Sequence, residues 1–214
     1  MARATGDIRR AQILEAAGRL VRQRGFTATR MADVAAELGL SAPLIVYHFG
    51  TKDDLMAATL AAEARAELVR LDAIVGSDVG PLDKVRRILD LSLGTASVGD
   101  WALWIDAWGE GLRSAVMARH LEHLDRRWCR ALERVITQGV EEGVFAVAHN
   151  GVPAAAERLM AILDGFGVRL VRSRTDRGRG RVRSSARQAV EMVLATALAA
   201  PRAPGGRPAR HSAG

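Results

Sequence analysis

Residues 29–52, TRMADVAAELGLSAPLIVYHFGTK, decide the fold. Thr29 is a candidate N-cap, since its hydroxyl can accept from a free amide of the helix that follows. Val34, Ala35 and Leu38 then recur at helical spacing. Gly39 stands where a helix end favours a left-handed residue, and apolar Leu40 can turn inward behind it. Ser41 is a second N-cap, and Pro43 falls in the first turn of the next helix, where a missing N–H costs little. Ala35 is small enough to let the two helices cross closely. The spacing predicts a helix-turn-helix whose second helix is sized for a DNA major groove. It points to nucleic acid rather than to a reaction.

Outward from this unit, helical periodicity continues and alternating apolar runs are scarce, so the class is all-α. The pattern predicts a first helix over 7–24, with Ile13, Leu14, Ala17, Leu20 and Val21 on one face and Gly25 ending it. Thr51-Lys52-Asp53-Asp54 resembles a capping box opening a long helix over 52–75. Further helices are predicted over 82–96, from an Asp100 cap, over 117–142, over 153–173 and over 184–200, with an Arg/Gly loop at 174–183. Three regions follow: a DNA-binding unit over 1–51, a second helical unit over 52–200, and a Pro/Gly-rich tail over 201–214 that is expected to be disordered.

The net charge of +7 suits a polyanionic partner but is modest across 214 residues. Its distribution says more. Residues 1–52 carry eight Lys/Arg against four acids, and residues 169–187 carry eight Arg against Asp176 alone. Cys129 is the single cysteine, which excludes an intrachain disulfide and a cysteine zinc cage. The opening MARATGDIRR has no apolar run and no later stretch is long enough to span a bilayer, so a soluble, cytoplasmic protein is expected. No nucleophile elbow, phosphate loop or carboxylate pair is visible, so no enzyme and no cofactor are expected. His120 and His123, with Glu122 and Asp125 nearby, lack a fourth ligand at a metal-binding spacing, and no metal is expected.

The stretch ILEAAGRLVRQRGFTATRMADVAAELGLSAPLIVYHFGTKDDL resembles the DNA-binding domain of the TetR (tetracycline-repressor) family. The matching residues include Ile13-Leu14, Ala16-Ala17, Gly25-Phe26, Thr29, Val34-Ala35, Gly39, Ser41, His48-Phe49, Lys52 and Leu55. The segments WALWIDAWGEGLR, RRWCRALERVITQGVEEGVF and AERLMAILDGFGVRL are similar to the regulatory domain of repressors of the betaine-regulator type. The resemblance implies an N-terminal three-helix head joined by a long helix to an effector-binding and dimerisation domain. It implies phosphate contacts at Thr29, Ser41, His48 and Lys52. Two positions depart from the family: Val46 stands where a Tyr is usual, and Ala32 where a polar residue is common.

Helix N-termini attract phosphate through free N–H groups and the macrodipole, which suits Thr29 and Ser41. Lys52 in a first helical turn is unfavourable unless an anion neutralises it. Ala42, Pro43 and Leu44 begin the second helix of the unit with no side-chain hydrogen bond to offer, so weak direct base readout is expected. Tyr47 and Arg30 are further candidate contacts, although Tyr47 and His48 also suit packing and Arg30 a solvated surface.

Trp101, Trp104 and Trp108 share one helical face. They form either a packed core or the aromatic wall of a ligand cavity, with Met117, His120 and Met160 as further lining candidates. Asp106 and Glu110 lie nearby in sequence, and an acid buried beside indoles would suit a cationic ligand; both also suit a solvated surface. Leu159, Ile162, Leu163, Phe166 and Leu170 form one apolar stripe, and Val190, Val193, Leu194 and Ala197 another. The resemblance makes these a homodimer interface, with Gly165 and Gly167 permitting close approach; packing within one chain is the alternative. The leading expectation is a repressor released from an operator in double-stranded DNA by a small-molecule effector. An activator, a ligand-independent repressor and a non-specific DNA-coating protein are the alternatives.

Overall fold

The computed structural model describes residues 2–94, 97–147 and 151–198, with side chains for 6–94, 98–147 and 151–193. Those residues form α1 (Ala2–Arg24), α2 (Met31–Glu37), α3 (Ala42–Phe49), α4 (Lys52–Val75), α5 (Pro81–Leu93), α6 (Ser97–Gly111), α7 (Ala115–Glu141), α8 (Val152–Arg172) and α9 (Asp176–Leu198). No strand occurs among them. The first three helices make the helix-turn-helix head, and α4 runs from it into a bundle built with α5 to α9.

The head closes because Ile13, Ala16, Ala17 and Leu20 of α1 meet Phe26, Val34, Ala35, Ile45 and Phe49 in one buried cluster. Burying each of the larger side chains contributes about 1.5–3 kcal/mol. Gly25 ends α1 at φ +86°, and Gly39 forms the tight turn at φ +63°, a region that L side chains enter only at a cost. The first cap differs from the expectation. Arg30, not Thr29, is the N-cap of α2, and its backbone N–H donates to Asp33 at 3.0 Å. Thr29 is fully buried and its hydroxyl donates to the Gly25 carbonyl at 2.8 Å. That carbonyl lies at the end of α1, where helix carbonyls lose their own partners.

At the start of α4 the Thr51 cap forms, since Thr51 Oγ1 accepts from the Asp54 N–H at 3.1 Å; the reciprocal half of the box does not, because the Asp54 carboxylate accepts from the Thr51 hydroxyl at 2.6 Å and the Thr51 N–H donates to the Phe49 carbonyl. At the far end of α4, buried Lys84 donates from Nζ to the Val75 carbonyl and to Gln138 Oε1, both at 2.8 Å. One cation thereby satisfies a terminal carbonyl of α4 and ties α5 to α7.

Three other boundaries shift. Asp100 lies in the first turn of α6 instead of capping it. α5 stops at Leu93. The expected loop over 174–183 is mostly helix, because α9 begins at Asp176. Thr175 Oγ1 accepts from the Gly178 N–H at 3.1 Å and Asp176 pairs with Arg179, so this start is capped and charge-paired despite Gly178 and Gly180. The tail over 201–214 lies outside the described residues.

Leu159, Leu163, Leu170 and Val190 are buried within the chain, and Ile162, Phe166 and Val193 are partly buried against the same core. The first four are therefore core residues, which corrects their assignment to a dimer surface. The side chains of Leu194 and Ala197 lie outside the described residues. Gly167 is also internal: a Cβ there would collide with the Trp101 ring, whereas Gly165 faces open space. We expect Gly167→Ala to destabilise the protein by about 1–3 kcal/mol, as overpacking does, with Gly165→Ala near neutral; denaturant melts of both variants test this.

Candidate functional site

Two places gather chemistry, the outer face of α3 and a cavity inside the bundle. On α3, Ile45 and Phe49 point into the head, so 42, 43, 46 and 47 face outward. Tyr47 is 83% exposed and Val46 47%. Leu44 is half-buried. Ser41 caps α3 from an exposed position, with no side-chain cap bond of its own. The His48 ring meets Tyr47 edge-on at 5.4 Å, and the His48 carbonyl accepts from Arg10 at 2.8 Å. Arg10 also stacks over the Phe49 ring at 4.1 Å, so it braces the last turn of α3. Lys52 Nζ donates to the Thr27 carbonyl at 2.7 Å, which holds the cation at the edge of the head. Arg30 is exposed, while the hydroxyl of buried Thr29 is directed at Gly25 and away from the surface.

The cavity, about 260 Å³, is lined from α4, α5, α6, α7 and α8. Trp101, Trp104, Trp108 and Trp128 all line it, and these are the four tryptophans of the chain. Trp101 and Trp108 meet edge-to-face at 5.9 Å. The buried Trp101 indole donates to the Ser92 carbonyl at 2.8 Å. Met160 lines the cavity, whereas Met117 and His120 do not. Met117 is buried in the core, and a His120 ring nitrogen is engaged with the Val116 carbonyl at 3.1 Å.

The cavity's acids are also not the ones the sequence suggested. Asp106 accepts from the Phe26 N–H at 2.7 Å, and Glu110 accepts from the Thr27 hydroxyl at 2.7 Å. Both therefore bind α6 to the head. At about 100° per residue, Asp106 and Glu110 share one side of α6, while Trp104 and Trp108 lie about 200° from Asp106 on the other. The carboxylates at the cavity are Glu67, Glu122, Asp125 and Asp164. Burial, then the negative charge of Asp100, pushes Glu67 up to about 7 against a hydrogen bond from Trp104 that opposes the rise. Burial and neighbouring Asp125 push Asp164 up to about 6. Burial and the charge of Asp125 likewise push the Cys129 thiol up to about 11. The cavity is thus apolar on its aromatic side and acidic on the other, where Glu122 pairs with Arg126 at 3.5 Å.

Comparison with known proteins agrees with this architecture. The profile of bacterial regulatory proteins of the tetR family matches residues 13–59, and that of the BetI-type transcriptional repressor C-terminal domain matches residues 81–195. The chain is a TetR-family transcriptional regulator. Its C-terminal domain is of the BetI type. It is 25% identical over 171 residues to the HTH-type transcriptional regulator BetI of Stenotrophomonas maltophilia, covering 76% of this chain and 81% of that one. The BetI of Burkholderia ambifaria is 26% identical over 166 residues, with 76% and 82% covered. Among solved structures, a transcriptional regulator from Saccharomonospora viridis in complex with choline has a TM-score of 0.74 and 26% identity, covering 86% of this chain and 96% of that one. A TetR regulator from Haloarcula marismortui shares the fold at a TM-score of 0.75 and 22% identity, with 88% and 99% covered.

In this TetR-family regulator the DNA-binding head was readable from sequence, whereas half of the cavity was not. Glu67, Trp128 and Asp164 come from three helices and meet α6 only in the fold. One signal was available. Glu67 occupies a core position in the α4 stripe Leu60, Ala64, Glu67, Leu71, where an apolar residue would be ordinary. No helix among the described residues is long and apolar enough to cross a membrane.

The raised carboxyl values set a pH dependence. Glu67 and Asp164 hold protons more tightly folded than unfolded, so their contribution to stability is full below their ordinary values of 4.5 and 3.8. It is lost as pH rises through about 7 and about 6 respectively. We expect Glu67→Gln, neutral at every pH, to gain stability relative to the parent as pH rises from about 5 to 8; melting temperatures across that range test it, and a constant difference would refute the assignment.

Proposed function

We propose that this regulator is a repressor that occupies its operator as a homodimer and leaves it when a small organic cation enters the cavity. One observation carries the reading: four indoles and four carboxylates line one half-open cavity. A quaternary ammonium ion satisfies both kinds of wall. It gains about 0.5–2 kcal/mol from an aromatic face, more when desolvated, and it lets Glu67 and Asp164 ionise. A neutral ligand would bury those acids without a counter-charge, which costs free energy. The choline held by the Saccharomonospora viridis relative supports the same ligand class.

Helix α6 is the coupling element in this reading. Its indoles face the ligand, and its opposite side holds the head through Asp106 to Phe26 and Glu110 to Thr27. A ligand that shifts α6 shifts the head, provided it prefers one of the two arrangements. The dimer is proposed through the outer faces of α8 and α9. Partly buried Ile162, Phe166 and Val193 lie there beside exposed Ala161, Gly165 and Met192. On the DNA, Tyr47, Val46, Ala42 and Pro43 face the groove, with Ser41, Lys52, Arg30 and His48 toward the backbone.

Choline chloride is the first probe. At about 100 times its dissociation constant it should stabilise the protein by about 2.7 kcal/mol and lower DNA affinity. Trp108→Ala, at a half-buried position, should keep DNA binding and lose the choline response. Unchanged melting temperature and DNA affinity with choline would refute the cation reading. For the head, we expect Lys52→Ala to weaken binding about equally on all sequences and to flatten the slope of log affinity against log salt by about 1.8, about 0.9 for each of the two subunits. A changed base preference with an unchanged slope would show that Lys52 does not meet a phosphate.

A further inference from the structure

The densest charge in the molecule lies away from the helix-turn-helix. Residues 169–187 carry eight arginines and one acid, Asp176. Asp176 is paired with Arg179, Arg187 pairs with Asp90, and Arg183 donates to the carbonyls of Leu93 and Gly94 at 2.8 and 3.3 Å. Arg172, Arg174, Arg177 and Arg181 are exposed and have no ion pair among the described residues. Arg169, Arg172 and Arg181 line a polar cleft between the end of α8 and the start of α9, together with the hydroxyls of Ser173 and Ser185.

Local stability does not account for this placement. The start of a helix carries partial positive charge, which favours acids and disfavours cations. Arg177, Arg179 and Arg181 stand in the first two turns of α9 against one carboxylate. A local conflict of this kind is expected where a surface serves function.

The tip also lies at the head end of the bundle. α7 begins beside the head, where the Ser114 hydroxyl donates to Asp53 at 2.6 Å. α8 returns antiparallel to α7, and Asp164 comes close enough to Asp125 to raise its proton affinity. From that level, eight residues, about 12 Å of helix, lead along α8 to Arg172 and back along α7 to Met117, near Ser114. Arg183 supports the same placement by gripping the end of α5, while Asp100 early in α6 pairs with Arg22 of α1 at 3.2 Å.

We propose that the arginine tip of the α8–α9 hairpin is a second DNA-backbone contact, engaging phosphates between the two half-sites read by the heads. The proposal rests on the homodimer through α8 and α9, which brings two tips to the two-fold axis. Its chemistry is sequence-independent: guanidinium forks and hydroxyls bind phosphate and displace counterions. It would favour operators whose central segment approaches the protein, and it adds affinity without base choice.

The test uses full-length protein and DNA selected by it from a random pool of about 30 base pairs, long enough for two half-sites about one to two helical turns apart. The variant carries Arg172→Gln, Arg174→Gln, Arg177→Gln and Arg181→Gln, all at exposed positions. We expect its melting temperature and dimeric mass by light scattering to match the parent. We expect its salt slope to flatten by about two to four units, about 0.9 for each phosphate that is no longer neutralised. Ethylation of phosphates between the half-sites should interfere with parent binding and not with variant binding, while interference within the half-sites persists in both. A dimer with interference confined to the half-sites and an unchanged slope overturns the tip contact alone. A monomeric parent overturns the dimer reading and, with it, this placement. An unchanged slope together with stabilisation of the parent, but not the variant, by inorganic phosphate overturns the proposal in favour of a small-anion site.

Discussion

The structure depends on a carboxylate from α6 that accepts the Phe26 amide. Gly25 ends α1 at φ +86°, which turns the next N–H away from the helix and leaves it without a local acceptor. Asp106 supplies one at 2.7 Å. The absence of a side chain at Gly25 permits this approach, since a Cβ there would lie 2.9 Å from Asp106 Oδ2. The register of α6 against the head is thereby set. Because a helix transmits rotation along its axis, the same bond fixes which way Trp104 and Trp108 face. Head and cavity are two sides of one rigid rod.

The cavity itself works against folding. Burial raises the proton affinity of Glu67 and Asp164, and Trp101 and Trp108, though packed edge-to-face, leave part of the indole wall facing open space. A core made only for stability would fill this volume with aliphatic side chains. The surrounding bundle offsets the cost with apolar contacts and with Lys84, whose buried ammonium ties α4, α5 and α7 together far from the cavity. The tie at Lys84 and the cavity thus lie at different levels of the bundle.

Local signals in the sequence reached the elements that local chemistry decides. The Thr51 cap, the glycines at 25 and 39 and the period of α7 each depend on neighbours within a few residues, and each formed as read. Thr29 misled because a hydroxyl before a helix has two uses, capping forward or bonding back, and the turn after Gly25 selects the second. Arg/Gly composition at 174–183 suggested a loop, yet the Thr175 cap and a run of arginines, which are good helix formers, prevailed. Asp106 was adjacent to the tryptophans in sequence but faces away from them, because adjacency along a helix does not mean a shared face. Glu67 and Asp164 were legible only as charged residues interrupting apolar stripes, and which helices would meet around them is a tertiary fact.

The distribution of chromophores has a practical consequence. All four tryptophans line the cavity, and the sole tyrosine, Tyr47, stands 83% exposed on the outer face of α3. Excitation at the red edge of the indole band therefore interrogates the interior alone. A chemical tag placed on the one phenol reports the outer face alone. The cavity and the outer face of α3 can be watched separately in the unmodified sequence, without introducing a foreign dye site or a cysteine. The order in which they respond to an added ligand would tell whether the cavity or the head changes first.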